Sequence, residues 1–167
     1  MTQAVFEAEP IEITGQSVQP EWIDYNGHMN VAFYVLAFDK ALDKIFDMLD
    51  IGVAYVERTG DSAFVLQNHV AYLAELKLHD PIRVTFQLLD WDAKRVHYFM
   101  HMYHATEGFL AATAEQVMMH VSLLTRRSSP FPAEAQAKLA AMLEAHRSLP
   151  RPDSAGASIG IRRKISA

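Results

Sequence analysis

Apolar residues recur at Val31, Tyr34, Phe38, Leu42, Ile45 and Leu49, spaced by three, four, four, three and four, while Asp39, Lys40, Asp43, Lys44 and Asp47 fill the other faces. That period predicts an amphipathic helix over about residues 30 to 50, with Asn30 as its N-cap and Gly52 as its stop. Elsewhere the pattern is extended. Residues 9 to 22 carry Ile11, Ile13, Thr14 and Val18 and read as a first strand. Four more strand candidates lie near 63 to 75, 82 to 92, 94 to 106 and 109 to 124, parted by His79-Asp80-Pro81, Asp92-Ala93 and Glu107-Gly108. Val53 to Gly60 reads as a connection between helix and meander. One helix followed by consecutive strands predicts an α+β fold, with the helix on the concave face of an antiparallel sheet. After Arg127, Ser128-Ser129-Pro130-Phe131-Pro132 breaks the pattern, Ala133 to Arg147 predicts an Ala-rich helix, and Leu149 to Ala167 reads as a loose tail. The expected organisation is one domain over 1–127, with 128–167 adding a helix and tail that are not a separate domain.

The segment Trp22-Ile23-Asp24-Tyr25-Asn26-Gly27-His28-Met29-Asn30 sets one carboxylate just ahead of that helix. A capping Asn30 side chain satisfies the second or third helical N–H, which leaves the N–H of Val31 free at the positive end of the helix dipole. A developing oxyanion fits there. Gly27 permits a tight turn, so Asp24 can face the carbon whose oxygen that N–H holds. Asp, Asn and Gly before a helix also make an ordinary loop and cap, and the spacing alone leaves both readings open. His28 either bonds Asp24 or substrate, or packs within the turn.

The run Asp24-Tyr25-Asn26-Gly27-His28-Met29-Asn30, with a strand-like stretch before it, the helix after it and extended segments to about Leu124, resembles the active-site segment of hotdog-fold thioesterases of the 4-hydroxybenzoyl-CoA thioesterase type. The resemblance covers roughly residues 10 to 125. It implies a hotdog fold, an antiparallel sheet wrapped around one long central helix, with Asp24 as catalytic carboxylate and the Val31 N–H as oxyanion donor. Val18 to Met29, with Asn68-His69-Val70-Ala71-Tyr72-Leu73 and Glu115 to Val121, is similar within that superfamily to the betainyl-CoA thioesterases of carnitine degradation, domains also found fused to carnitine dehydrogenases. The resemblance further implies a homodimer, often a tetramer, with active sites between subunits. Asn68, His69, Tyr72 and Glu75 are then candidates from the second subunit, against the plainer reading that they hydrogen-bond structurally.

Composition narrows the classes. The 167 residues, half of them hydrophobic, suit one domain with a sizeable core. With no cysteine, a thiol nucleophile, a zinc-thiolate site and a disulfide framework are excluded. The net charge of -5 argues against general nucleic-acid binding. No basic leader and no run of eighteen apolar residues is present, so no membrane partner is expected and the cytoplasm is the expected location. His97, His101 and His104 lie close in sequence, but strand alternation puts His104 on the other face from His97 and His101, so no metal site is expected, and no cofactor.

Trp22, Tyr25, Phe33, Tyr34, Phe38 and Trp91 include enough rings to cage a quaternary ammonium, although Phe33, Tyr34 and Phe38 are spaced as a helix core would be. The candidate catalytic groups are therefore Asp24, Asn30 and Val31, and the candidate substrate-binding residues are Trp22, Gly27, His28 and Tyr34. Lys77, Arg83, Lys94, Arg95, Arg126 and Arg127 are available cations with no assigned role. The expected activity is hydrolysis of a small acyl-CoA. The alternatives are a hotdog hydratase or dehydratase, whose characteristic Asp and His enclose four residues where Asp24 and His28 enclose three, and a non-catalytic binding module.

Overall fold

The computed structural model describes residues 5–161 and 163. Strand β1 (Ile11–Ser17) is followed by a 3-10 turn at Pro20–Trp22, helix α1 (Val31–Met48) and a short helix α2 (Val53–Thr59). Strands β2 (Asp61–Tyr72), β3 (Pro81–Trp91), β4 (Arg95–His104), β5 (Leu110–Ser122) and β6 (Arg127–Ser128) come next, then helix α3 (Ala133–His146). The sheet has six strands in the order β1-β3-β4-β5-β2, with β6 also paired to β5, and every pairing is antiparallel.

Alternation sets the two faces of this sheet. Phe86, Met100 and Ala114 stand in register on one face, and Thr85, His101 and Thr113 on the other. The first face takes α1, which buries Tyr34, Ala37, Phe38, Ala41, Leu42 and Ile45. Ala37 and Ala41 on the helix and Ala112 and Ala114 on β5 are fully buried; small residues there let the two backbones approach while Phe38, Phe86, Tyr98 and Met100 fill the space beside them. Each large side chain sealed in this way contributes on the order of 1.5–3 kcal/mol.

The predicted helix, strands and C-terminal helix are present, and the differences are local. The helix stops at Met48, two residues early, because Leu49 caps it and Asp50 turns left-handed at φ 57°. Gly52 instead serves as the N-cap of α2, which stands where the sequence suggests only a connection. Seven residues are too few to show a period, and α2 buries Tyr55 alone. The first strand is confined to Ile11–Ser17 because Pro20 opens the 3-10 turn. Strand β2 ends at Tyr72: the N–H groups of Leu73 and Ala74 both donate to the Ala111 carbonyl, and the ladder stops there. Glu75 therefore lies in a loop and not on the strand.

Helix α3 adds Ala135, Leu139 and Met142 to the same core, and His146 accepts the Leu88 N–H through Nδ1 at 2.9 Å where β3 bulges. The segment after it, expected as a loose tail over Leu149 to Ala167, is tethered at Pro150 and Gly156; residues 162 and 164–167 of that expectation lie outside the described residues. Gln87 donates to the Pro150 carbonyl at 3.2 Å, and the Gly156 N–H donates to Glu115 Oε2 at 2.6 Å, so the chain crosses the outer face of the sheet.

Candidate active site

The turn before α1 is closed by backbone bonds. Asp24 donates to the His28 carbonyl at 3.1 Å, Gly27 donates to the Asp24 carbonyl at 3.0 Å, and Gly27 takes φ 79°, where a β-carbon would be strained. Below the turn, Met29 donates to Leu76 and Asn30 to Trp22, at 2.8 and 2.9 Å, which pins the helix start to the loop after β2.

On this frame the Asp24 carboxylate is gripped at both oxygens. Oδ1 accepts the Asn26 N–H at 2.8 Å, and Oδ2 accepts from Asn30 Nδ2 at 3.2 Å. The Asn26 N–H lowers the pKa of Asp24 most, burial opposes it, and Asn30 and His28 lower it further, so the group stays ionised below the usual carboxylate range. Asn30 works at both ends of its amide: Nδ2 holds Asp24, and Oδ1 accepts the Ala32 N–H at 3.0 Å as the N-cap bond. The Val31 N–H has no acceptor among the described residues. The structure thus brings Asp24, Asn30 and Val31 together around one exposed helix start.

A groove of about 260 Å³ opens there, lined by His28, Val31, Tyr34, Tyr72 and Glu75. His28 Nδ1 lies 3.0 Å from the Met29 carbonyl, so its ring is held locally and does not bond Asp24. Tyr34 is buried; its hydroxyl donates to the Ala74 carbonyl and accepts the Leu76 N–H, while its ring meets Tyr72 edge-on at 5.3 Å. Tyr72 and Glu75, candidates for a second subunit, stand beside Val31 of their own chain. The signal missed in the sequence was the loop after β2, which folds back onto the helix start.

The rings do not gather into one cage within the chain. Trp22 is buried and stacked on Phe33 at 5.8 Å, with Lys40 Nζ 5.4 Å from its centroid, so both a ring and a cation already occupy it. Phe38 is core, Tyr25 stands in solvent, and Trp91 lies at the far end of β3. Of the three neighbouring histidines, His97 bonds Glu115 on the outer face, and His104 caps the Thr106 and Glu107 N–H groups on the inner one, as alternation requires. A larger groove, about 1270 Å³, lies on the outer face over Thr85, Gln87 and His101, away from Asp24.

A carboxylate fixed beside an unpaired N–H at the start of a helix enclosed by an antiparallel sheet defines a class. Residues 18–139 match the Thioesterase-like superfamily, and the chain belongs to that family, with its hotdog fold. Among its relatives, the Pseudomonas aeruginosa protein named betainyl-CoA thioesterase is 40% identical over 144 residues, 86% of this chain and 91% of that one. The Rhizobium meliloti protein named L-carnitine dehydrogenase/betainyl-CoA thioesterase is 38% identical over 92% of this chain, which spans only 31% of that longer protein. A Staphylococcus aureus protein solved in complex with CoA superposes with a TM-score of 0.85 at 30% identity, covering 95% of this chain and 99% of that one.

Proposed function

We propose that the protein is an acyl-CoA thioesterase with Asp24 as its catalytic carboxylate and the Val31 N–H as its oxyanion donor. The observation that carries this reading is the single amide of Asn30, which holds the Asp24 carboxylate through Nδ2 and, through Oδ1 on the Ala32 N–H, caps the helix start that presents the Val31 N–H. With the thioester oxygen on the Val31 N–H, negative charge that develops at that oxygen meets a donor aligned beforehand and the positive end of a helix of 18 residues. Asp24 then either attacks the carbonyl carbon, giving a mixed anhydride and CoA thiolate, or takes a proton from the water that attacks it. Its lowered pKa keeps it ionised, as both routes require.

The substrate proposed is betainyl-CoA. Its support is the names of the relatives, together with the exposed Tyr72 ring, backed by the buried Tyr34 ring, and the Glu75 carboxylate along the groove, a set suited to a group that is cationic but donates no hydrogen bond. Trp22 is less suited, because Lys40 already lies over it. The decisive measurement is thiol release from betainyl-CoA beside acetyl-, butyryl- and benzoyl-CoA and a neutral branched isostere of betaine. Preference for the charged acyl group by roughly tenfold is expected from a cation over aromatic faces. Equal rates would leave a general acyl-CoA thioesterase; no thiol release from any of them would sink the enzyme reading.

We further propose a homodimer joined along β2. This edge strand is 12 residues long and exposes Phe64, Val65 and Leu66 in succession. An unpaired apolar edge of that length invites a second copy, which would make the sheet continuous. An acyl-CoA substrate and a chain without cysteine suit the cytoplasm, where we place it.

A further inference from the structure

The segment beyond α3 is aimed. Its first tether, Pro150 on Gln87, lies over β3; its second, Gly156 on Glu115, lies over β5, two strands further across the sheet. Glu115 is itself braced by His97 Nε2 at 2.7 Å, so the second tether stands on a fixed carboxylate. From Gly156 the chain continues to Ile159, which borders a recess of about 380 Å³ with Gln67, Asn68 and His69 of the β2 edge. Ile159 and Ile161 are 90% and 83% exposed, alternate apolar residues left uncovered by the described residues of their own chain.

We propose that residues 149–161 form an arm that crosses the β2 seam and seats Ile159 and Ile161 on the outer sheet face of a second copy of this chain. The inference rests on the edge-paired homodimer proposed above. Reach allows it: an extended chain advances about 3.3 Å per residue and strands lie about 4.8 Å apart, so the five residues after Gly156 span the β2 of their own chain and the β2 beyond it. Register supplies a target. Two β2 edges paired about their midpoint, near Leu66 and Gln67, set Asn68 across from Val65 of the partner subunit. Beside that position the outer face carries Phe64, which pairs with Met119 on that face and is 45% exposed. An apolar arm end and an apolar surface ring thus meet where each otherwise faces water.

The chain has no cysteine, so the contact can be trapped cleanly. In an Ile161→Cys, Phe64→Cys double variant, oxidation is expected to give a reducible species of twice the chain mass in denaturing electrophoresis, while each single variant stays at chain mass. A disulfide closed within one chain, or none in a protein that light scattering shows to be a dimer, would overturn the arm and leave the edge-paired dimer standing. A monomer by light scattering would overturn the dimer and the arm with it. Truncation after Ser158 gives the second reading. The dimer dissociation constant should rise at least tenfold, with turnover of the saturated dimer unchanged; an unchanged constant would reject the arm.

Discussion

The two ends of α1 are finished in opposite ways. At the C-terminal end the carbonyls are consumed: Ile45 accepts from Leu49, Phe46 from Ile51, Asp47 from Asp50, and Met48 from Lys138 Nζ at 2.9 Å. Lys138 also pairs with Asp50, and Leu49 and Ile51 are buried beneath this turn. At the N-terminal end one N–H is left over, Val31 is 55% exposed, and the Asp24 carboxylate is held nearby by Asn30. Carbonyls beneath a buried turn need protein partners, because unsatisfied groups there cost free energy, whereas an exposed N–H is served by water. The asymmetry leaves one end closed by the fold and the other with a donor open to solvent, where the proposed oxyanion would sit.

The contrast can be broken most directly at Asp24. Asp24→Asn keeps shape and much of the hydrogen bonding but removes basicity and nucleophilicity, so turnover should fall by roughly a hundredfold or more with folding intact. Turnover within tenfold of the unmodified protein would mean that the open end is not the catalytic one.

Asn30→Ala should cost about 1 kcal/mol of stability, the usual worth of a cap, and should also release Asp24 from the helix start. Turnover at a temperature where both proteins are fully folded is therefore expected to drop by roughly tenfold or more, the loss of a catalytic alignment rather than of structure. If the loss vanished once the thermal shift was corrected for, Asn30 would be a cap and nothing else.

A pH profile sharpens the point. Asp24 has its pKa lowered in the folded state, so the stability linked to it is present above the unfolded pKa and is lost as pH falls through the folded value. Activity that needs the ionised form should follow the same direction, with an acid limb in kcat/KM below the range of an ordinary Asp. An acid limb at or above that range would assign the titration to another group.

The smallest effect belongs to the closed end. Lys138→Met removes the cation from the last carbonyl and from Asp50, an arrangement partly open to solvent and worth about 1 kcal/mol or less. Denaturant unfolding should show that modest loss while kcat and KM stay unchanged. A change in kcat there would show that the two ends are not independent.

What the sequence made legible follows from period. The stripe from Val31 to Leu49 and the alternation through β3, β4 and β5 each repeat often enough to declare their element and buried face. The Asp24 to Asn30 segment was legible for a different reason: its turn and cap are local, so neighbours in sequence are neighbours in space. Helix α2, the loop from Leu73 to Asp80 and the tethered segment after α3 were not legible, because distant partners decide them. Tyr55 of α2 bonds His120, Tyr34 anchors the loop at Ala74 and Leu76, and Glu115 holds Gly156. The caged rings failed for the same reason, since spacing along the chain could not show that Lys40 would cover Trp22.

The strand order has a consequence for how the molecule is born. Strand β2 emerges directly after α2 yet pairs with β5, whose matching residues are synthesised some 40 to 61 positions later, from Tyr72 with Ala112 to Asp61 with Ser122. At ribosomal rates of about 5–20 residues per second, the nascent strand carrying Phe64, Val65 and Leu66 waits for seconds with both of its edges unpaired. A strand that waits with an apolar run on an open edge is thus well placed to capture a neighbouring nascent chain. Protection of its amides should accordingly appear after that of β3 and β4 in pulse-labelled hydrogen exchange, because β3 and β4 are adjacent hairpin partners and close the shorter loop.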